Sequence, residues 1–297
     1  MTRSRILPLF RWSLALALLL PVHNVHAQNV PVFTTIDVPG ATETDANAIN
    51  NRGVVVGFDC GNGLHCTDAG ALAQAWVLIN RTFKFLNPPG ATQSFAYGIN
   101  DSNQVVRWFN DDSGVQHGFV FSKGTYTTID PPGSVLTNAW SINKAGTVVG
   151  FYVDSGGVFH GFMLANGTYT TIDDPNANAI TEALGINTAG QIVGLYIDVA
   201  GMQHGFLLDS GTFTDIDFPG AAVTAADRIN DRGVIVGLHG ASASGPFSGY
   251  RKSAARFTNV MFPGSVETRL RGLNNGGAMV GRYTDSAGMI HGMMVTP

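Results

Sequence analysis

The chain has 297 residues, of which only 13% are charged, with a formal net charge of −4; an average globular protein carries about 25% charged residues. That balance leaves no basic surface for nucleic acid or anionic lipid, and neither is expected as a partner. Abundant glycine, 37 residues, and many β-branched side chains suit an exported all-β protein.

At the N-terminus, Arg3, Arg5 and Arg11 precede an apolar stretch from Trp12 to Val22, and Val25-His26-Ala27 places small residues where a signal peptidase reads. Residues 1–27 therefore read as a signal peptide cleaved after Ala27, with a retained membrane anchor as the alternative. No membrane insertion is expected after cleavage, and the destination is periplasmic or extracellular. Phe33-Thr34-Thr35-Ile36-Asp37 follows as a strand with no neighbouring hairpin partner.

From there one unit recurs six times. It is marked by an Ile-Asn or Leu-Asn pair whose asparagines are Asn50, Asn100, Asn143, Asn187, Asn230 and Asn274, spaced by 50, 43, 44, 43 and 44 residues. Each pair is followed by a Val-rich run, usually by His-Gly-Phe, and then by a segment like Tyr126-Thr127-Thr128-Ile129-Asp130. A period of about 40–50 residues built from short strands is the pattern of propeller blades.

The third copy shows how one unit is built. Asn138–Ile142 alternates as a strand, and Asn143-Lys144-Ala145-Gly146 reads as a turn whose glycine takes the left-handed position. In the second copy Asn103 stands at that position, and asparagine is the next residue to tolerate it. Thr147–Val153, Val158–Leu164 and Thr168–Asp173 are the remaining strands, joined by the turns Asp154–Gly157 and Asn166-Gly167. Val149, Phe162, Tyr169 and Ile172 make both faces of this sheet apolar, so it needs neighbours on both sides.

The sixth copy stops at Pro297 before any fourth strand, and residues 33–37 can supply it, which would protect an open sheet edge. The expected fold is an all-β, six-bladed β-propeller of four antiparallel strands per blade, closed by the N-terminal strand joining the last blade. A β-solenoid is the rival. Blades fall at about 45–87, 95–130, 138–173, 182–217, 225–261 and 269–297 plus 33–37, in a single domain over 28–297. The two cysteines, Cys60 and Cys66, lie in the longest repeat. They are expected to form a disulfide across the intervening loop, the alternative being a metal site with His65 that would need further ligands.

The triplets His117-Gly118-Phe119, His160-Gly161-Phe162, His204-Gly205-Phe206 and His291-Gly292-Met293, with the Gly-Ile-Asn and Val-Val-Gly runs, resemble the HAF family of bacterial extracellular repeat proteins. Two repeats depart from the triplet, with Gln74-Ala75-Trp76 and Phe247-Ser248-Gly249-Tyr250. The resemblance covers the chain after residue 27 and implies export and a repeat fold. It implies no reaction, cofactor or ligand.

Repeated residues make poor catalysts, so the triplet histidines are expected to tie each blade together, bonding backbone or a turn carboxylate such as Asp154. Positions where the repeats disagree are better candidates. Three residues before each marker asparagine stand Asn47, Tyr97, Trp140, Leu184, Asp227 and Arg271; five before stand Asp45, Phe95, Asn138, Glu182, Ala225 and Arg269. Alternation of period two puts both sets on one side of the innermost strand, facing a central channel. Phe95, Tyr97, Asn138, Trp140, Glu182, Asp227, Arg269 and Arg271 are the candidate ligand-binding residues, unless these positions vary merely because they are exposed. Arg107, where other repeats have glycine, and Arg228, where they have a small residue, are further departures.

These residues point first to a non-catalytic binding propeller for a glycan or small polar ligand, expected to be a monomer and to need no cofactor. A protein–protein scaffold is the alternative. A glycoside hydrolase or lyase using Glu182 and Asp227 is the third reading. No Gly-x-Ser-x-Gly, zinc motif or phosphate loop occurs in the chain.

Overall fold

The computed structural model describes residues 30–61, 66 and 71–297; residues 1–27, on which the signal-peptide expectation falls, and most of the Cys60–Cys66 loop lie outside the described residues. Every regular element among the described residues is a strand. None is a helix long and apolar enough to cross a membrane. Residues 31–297 form one compact unit.

The third repeat contains the strands Ser134–Ile142, Val148–Asp154, Phe159–Ala165 and Thr168–Ile172, each antiparallel to the next. The same four-strand order recurs along the chain. In the last repeat only Glu267–Leu273, Met279–Thr284 and Ile290–Thr296 follow in sequence, and the N-terminal strand Val32–Ile36 takes the fourth place. Val32 pairs with Thr296 and Ile36 with Gly292, antiparallel. Single parallel bridges such as Glu43 to Ile290 and Gln203 to Val223 link neighbouring units.

The marker asparagine makes both the turn and the link between repeats. Asn143 Oδ1 accepts from the backbone N–H of Ala145 and of Thr147, each at 3.0 Å, and so holds its own turn. Gly146, at φ 86°, and Asn103, at φ 58°, occupy the expected left-handed positions. The amide of each asparagine then donates to the backbone carbonyl of the next. Asn50 reaches Asn100 O, Asn100 reaches Asn143 O and Asn143 reaches Asn187 O. Asn187 reaches Asn230 O, Asn230 reaches Asn274 O, and Asn274 returns to Asn50 O at 3.2 Å.

Apolar side chains fill the seams between repeats. Val106 and Ile129 of the second pack with Ala139, Val148 and Phe162 of the third. Ile36 and Val280 of the last pack with Ala46, Val55 and Trp76 of the first. Each sheet thus buries both faces, as the apolar pattern required.

The innermost strands are less regular than alternation predicts. Their pairing slips by one residue between Ala46 and Ala48, Ala139 and Ser141, Ala183 and Gly185, Ala226 and Arg228, and Leu270 and Gly272. The extra residue in each bulge is the varied one: Asn47, Trp140, Leu184, Asp227 or Arg271. A bulge bends its strand and re-aims the side chain it carries. It also presses a carbonyl into the next strand, and a Cβ at Gly150 would collide with Asn138 O. The glycine of Val-Val-Gly is therefore a steric requirement.

Arg107 violates that requirement, and the strand facing it is interrupted. The second repeat has two short pieces, Gln93–Ser94 and Gly98–Ile99, instead of one continuous inner strand. Phe95, Ala96 and Tyr97 lie in the gap.

At the outer edge each triplet histidine sits between two aspartates. His160 Nδ1 is 3.0 Å from Asp173, and Nε2 is 3.6 Å from Asp154 of the turn. His117 with Asp130 and Asp111, and His204 with Asp217 and Asp198, repeat the arrangement. In the last repeat His291 reaches Asp37, next to the N-terminal strand, at 2.9 Å. Burial opposes charge on His117 and His204, but hydrogen bonds and the negative charge of their aspartates outweigh it and raise both above the ordinary 6.5.

Two outcomes follow. Deleting residues 28–38 removes a paired edge and half of the last seam, and should cause aggregation or a melting temperature at least 10 °C lower, read by scanning fluorimetry and gel filtration. The His117 and His204 clamps add stability that is complete below pH 6.5 and is lost as pH rises through their higher folded-state values. The fall in melting temperature between pH 6 and pH 8 should therefore be smaller in a His117→Asn/His204→Asn variant than in the parent.

Candidate functional site

Two openings lie on the inner strands. One, of about 90 Å³, is lined by the six marker asparagines and by Asn51, Asp101, Lys144, Thr188, Asp231 and Asn275. Its polar groups are largely committed to the structure. The asparagine amides complete the cycle described above, while Asn51 is bonded to Asp101 and Asn275 to both Asn51 and Asp231.

The other, of about 180 Å³, is lined by Trp140, Glu182, Asp227, Arg269 and Arg271, with Gln203 and Phe247 and an aliphatic wall including Leu184 and Leu238. Five of the eight residues expected from the repeat comparison meet here. Among the described residues none is hydrogen-bonded to the Glu182 side chain. Asp227 is completely buried; its Oδ1 accepts from Arg271 Nη1 at 2.8 Å, and its Oδ2 has no partner. Arg269 donates from Nε to Glu267 at 2.6 Å and lies over the Phe247 ring at 4.5 Å.

Burial pushes the Glu182 carboxyl up to about 7, and the charge of Asp227 adds to the effect against the opposing Arg271 and Arg107. Burial also raises Asp227, although Arg271 works against it. Arg271 loses solvation too, but Asp227 overcompensates and keeps its guanidinium charged. The pocket thus combines an aromatic wall, paired guanidinium groups and carboxyl oxygens without donors.

Phe95, Tyr97 and Asn138 are not in the lining of this pocket. They are buried. For Phe95 and Tyr97 the physical reason is Arg107, whose guanidinium has no place in the glycine slot and turns inward. It lies 3.0 Å from the Tyr97 ring centre and 5.4 Å from that of Phe95, completely buried, and burial pushes it down to about 9. Tyr97 in turn packs edge-on against Trp140, with ring centres 4.4 Å apart.

Arg228 fills the centre beside them. It donates to the carbonyl oxygens of Tyr97, Trp140 and Leu184, which belong to three different repeats. Burial pushes it down to about 10. Three residues outside the candidate set belong to the same polar centre: Arg282 pairs with Asp45 at 3.0 Å and with Glu43 at 3.3 Å. The signal was readable, because Arg282 stands where the other repeats carry Phe58, Trp108, Phe151, Leu195 and Leu238.

Cys60 and Cys66 form a disulfide, with Cα atoms 5.4 Å apart. Cys66 N also donates to Glu43 at 3.0 Å, so the loop is tied to the inner strand of its own repeat. Among the described residues no group of His, Cys, Asp and Glu is arranged to hold a metal ion.

No family model matches the chain, and no curated protein does so significantly. Solved structures do. The β-propeller domain of the Trilobed protease from Pyrococcus furiosus aligns with a TM-score of 0.52 and 9% identity, over 86% of this chain and 94% of that one. The Aleuria aurantia lectin, solved with Fucalpha1-6GlcNAc, aligns with a TM-score of 0.53 and 9% identity, over 86% and 96%. TolB from Acinetobacter baumannii gives 0.53 and 12%, over 86% of this chain and 64% of its own. At such identities the likeness concerns fold alone: the chain is an all-β protein of the propeller type.

The buried carboxyl gives a testable sign. Glu182 titrates above its ordinary 4.5 in the folded protein, so stability is lost as pH rises from about 4.5 to about 7, and the cost is complete above that. Glu182→Gln should raise stability at pH 8, by about 2–3 kcal/mol at most, and leave it nearly unchanged at pH 4.5. Urea denaturation at the two pH values checks this.

Proposed function

We propose that this protein is an exported six-bladed propeller that binds a small polar ligand of the carbohydrate class, without turning it over, in the pocket of Trp140, Glu182, Asp227, Arg269 and Arg271. Six blades are supported by the cyclic order of asparagine hydrogen bonds and by the seam that joins the last repeat to the first. Export is supported by the Cys60–Cys66 disulfide, which persists in oxidising compartments, and by the signal-like first 27 residues. The HAF resemblance fits both.

The observation that carries the ligand class is the set of acceptors without donors. Asp227 Oδ2 is buried without a partner, and no hydrogen bond to the half-buried Glu182 carboxyl occurs among the described residues, beside an indole face and aliphatic side chains. Sugar rings present hydroxyl donors on one side and C–H surface on the other, and such a ligand would satisfy both. The remaining N–H groups of Arg269 and Arg271 could donate to its ring or hydroxyl oxygens. The Aleuria aurantia lectin shows that a propeller of similar fold was solved with a fucosylated sugar.

A glycosidase would need both carboxyls free for acid and base work. Asp227 is completely buried and held by Arg271, which favours binding over turnover.

A glycan panel followed by calorimetry on the first hit tests the reading. Glu182→Gln should weaken binding at least tenfold and Trp140→Ala should abolish it, while Thr127→Ala on an exposed outer strand changes nothing. A confirmed ligand indifferent to Glu182, Trp140 and Arg271 would move the site elsewhere. Consumption of the ligand, stopped by Glu182→Gln, would replace binding by hydrolysis.

A further inference from the structure

The repeats provide their own control for a third opening, beside the second strand of the first repeat. At the fifth residue of each second strand, five repeats carry a ring: Phe109, Tyr152, Tyr196, His239 and Tyr283. In four of them it stacks on the triplet histidine across the sheet, at 5.5, 5.1, 5.0 and 4.9 Å. In the fifth repeat His239 stacks instead on Phe218, at 3.6 Å.

The first repeat has Asp59 at this place, opposite Gln74 rather than histidine. No ring fills the slot. A cavity of about 310 Å³ remains, lined by Val38, Ala41, Leu72, Gln74 and Phe85 around Asp59. Asp59 is only 7% exposed, and its Oδ1 has no hydrogen-bond partner. Leu72 and Phe85 are exposed at the cavity, at 55% and 47%.

We propose that this slot is a second binding site, which takes a primary ammonium group on a short apolar stem with Asp59 as its counter-ion. A buried carboxylate is unfavourable unless a charge partner compensates for lost hydration, and among the described residues no cationic side chain is paired with Asp59. Burial alone moves its carboxyl up to about 6, the behaviour of an acid without a cation beside it. A neutral hydroxyl ligand would supply a hydrogen bond and leave the charge uncompensated, whereas an ammonium supplies both. The walls of Val38, Ala41, Leu72 and Phe85 suit the methylene groups of the stem, and Gln74 Oε1 is a second acceptor for the three N–H bonds of an ammonium. A free alkylamine and a lysine side chain share this chemistry.

Calorimetry and line-shape NMR with n-butylamine and with Nα-acetyl-lysine methylamide, each at pH 7.5 and 150 mM salt, test the site. Saturable binding of n-butylamine is expected, with n-butanol and butyrate at least tenfold weaker. Binding of the lysine derivative as well would assign the site to a side chain, and its failure would restrict the site to free amines; either outcome keeps the ammonium site. Asp59→Asn should weaken n-butylamine at least tenfold. Asp59→Tyr restores the ring of the other repeats and should abolish binding while the melting temperature stays equal or rises, which separates lost binding from lost folding. Equal affinity of parent and Asp59→Asn, or no saturable amine binding to the parent, would overturn the proposal.

Discussion

The six marker asparagines carry a constraint on which the whole arrangement rests. One carboxamide has an acceptor that can receive two N–H bonds of its own turn and a donor that can reach the next repeat. Aspartate could do the first task and not the second; serine has neither the reach nor the second functional atom. The turn and the spacing between neighbours are therefore set by the same side chain. A single bond of this kind contributes only about 1 kcal/mol net. Six in cyclic order, from Asn50 round to Asn274 and back, link every repeat to its neighbour and leave the seams to supply the apolar burial.

With one end of each inner strand fixed in this way, the bulge decides what faces the centre. It adds one residue between two that pair normally, so the side chain three positions before the asparagine projects inward whatever its chemistry. Its steric counterpart is the glycine of the adjacent strand, pressed against the bulge carbonyl. Arg107 shows what happens without that glycine. The inner strand breaks, Phe95 and Tyr97 fold over the guanidinium, and the second repeat contributes an aromatic lid instead of a pocket wall. One substitution in the middle strand thus accounts for the loss of two residues from the expected binding surface.

Period, strand order, turn chemistry and the pairing of residues 33–37 with the last repeat were legible because they rest on local rules: a repeated asparagine, left-handed positions and alternating apolar residues. The inner geometry was not, because a bulge leaves no mark in the alternation that precedes it. Reading Asn138 and Trp140 as two positions on one regular face overlooked the slip after Ala139; both are buried, and of the two only Trp140 lines the pocket. The better signal lay in positions that break an otherwise uniform column. Arg107 in the glycine column, Arg228 in the small-residue column, Arg282 in the apolar column and Asp59 in the ring column are all such breaks; three of them are buried and Arg282 is half-buried in an ion pair with Asp45 and Glu43.

Those breaks also bear on why the centre is charged at all. Arg107, Arg228, Arg271 and Arg282 lie among Glu43, Asp45, Asp227 and Glu182, and burying such groups is at best neutral for stability compared with apolar side chains of the same volume. The seams show that the fold can be packed from Val, Ile, Ala and Phe alone. A polar centre of this cost is thus not needed to hold the repeats together. Arg228 has a structural use, since it ties the bulge carbonyls of three repeats. Arg271 and Asp227 neutralise each other at the edge of a pocket, which presents a polar surface with little net charge. Arg107 is held by aromatic faces, and its Nε and Nη1 have no hydrogen-bond partner among the described residues. Glu182, with no hydrogen bond among the described residues, stands where that surface meets the indole of Trp140, and the proposed binding role rests on that carboxyl at the opening.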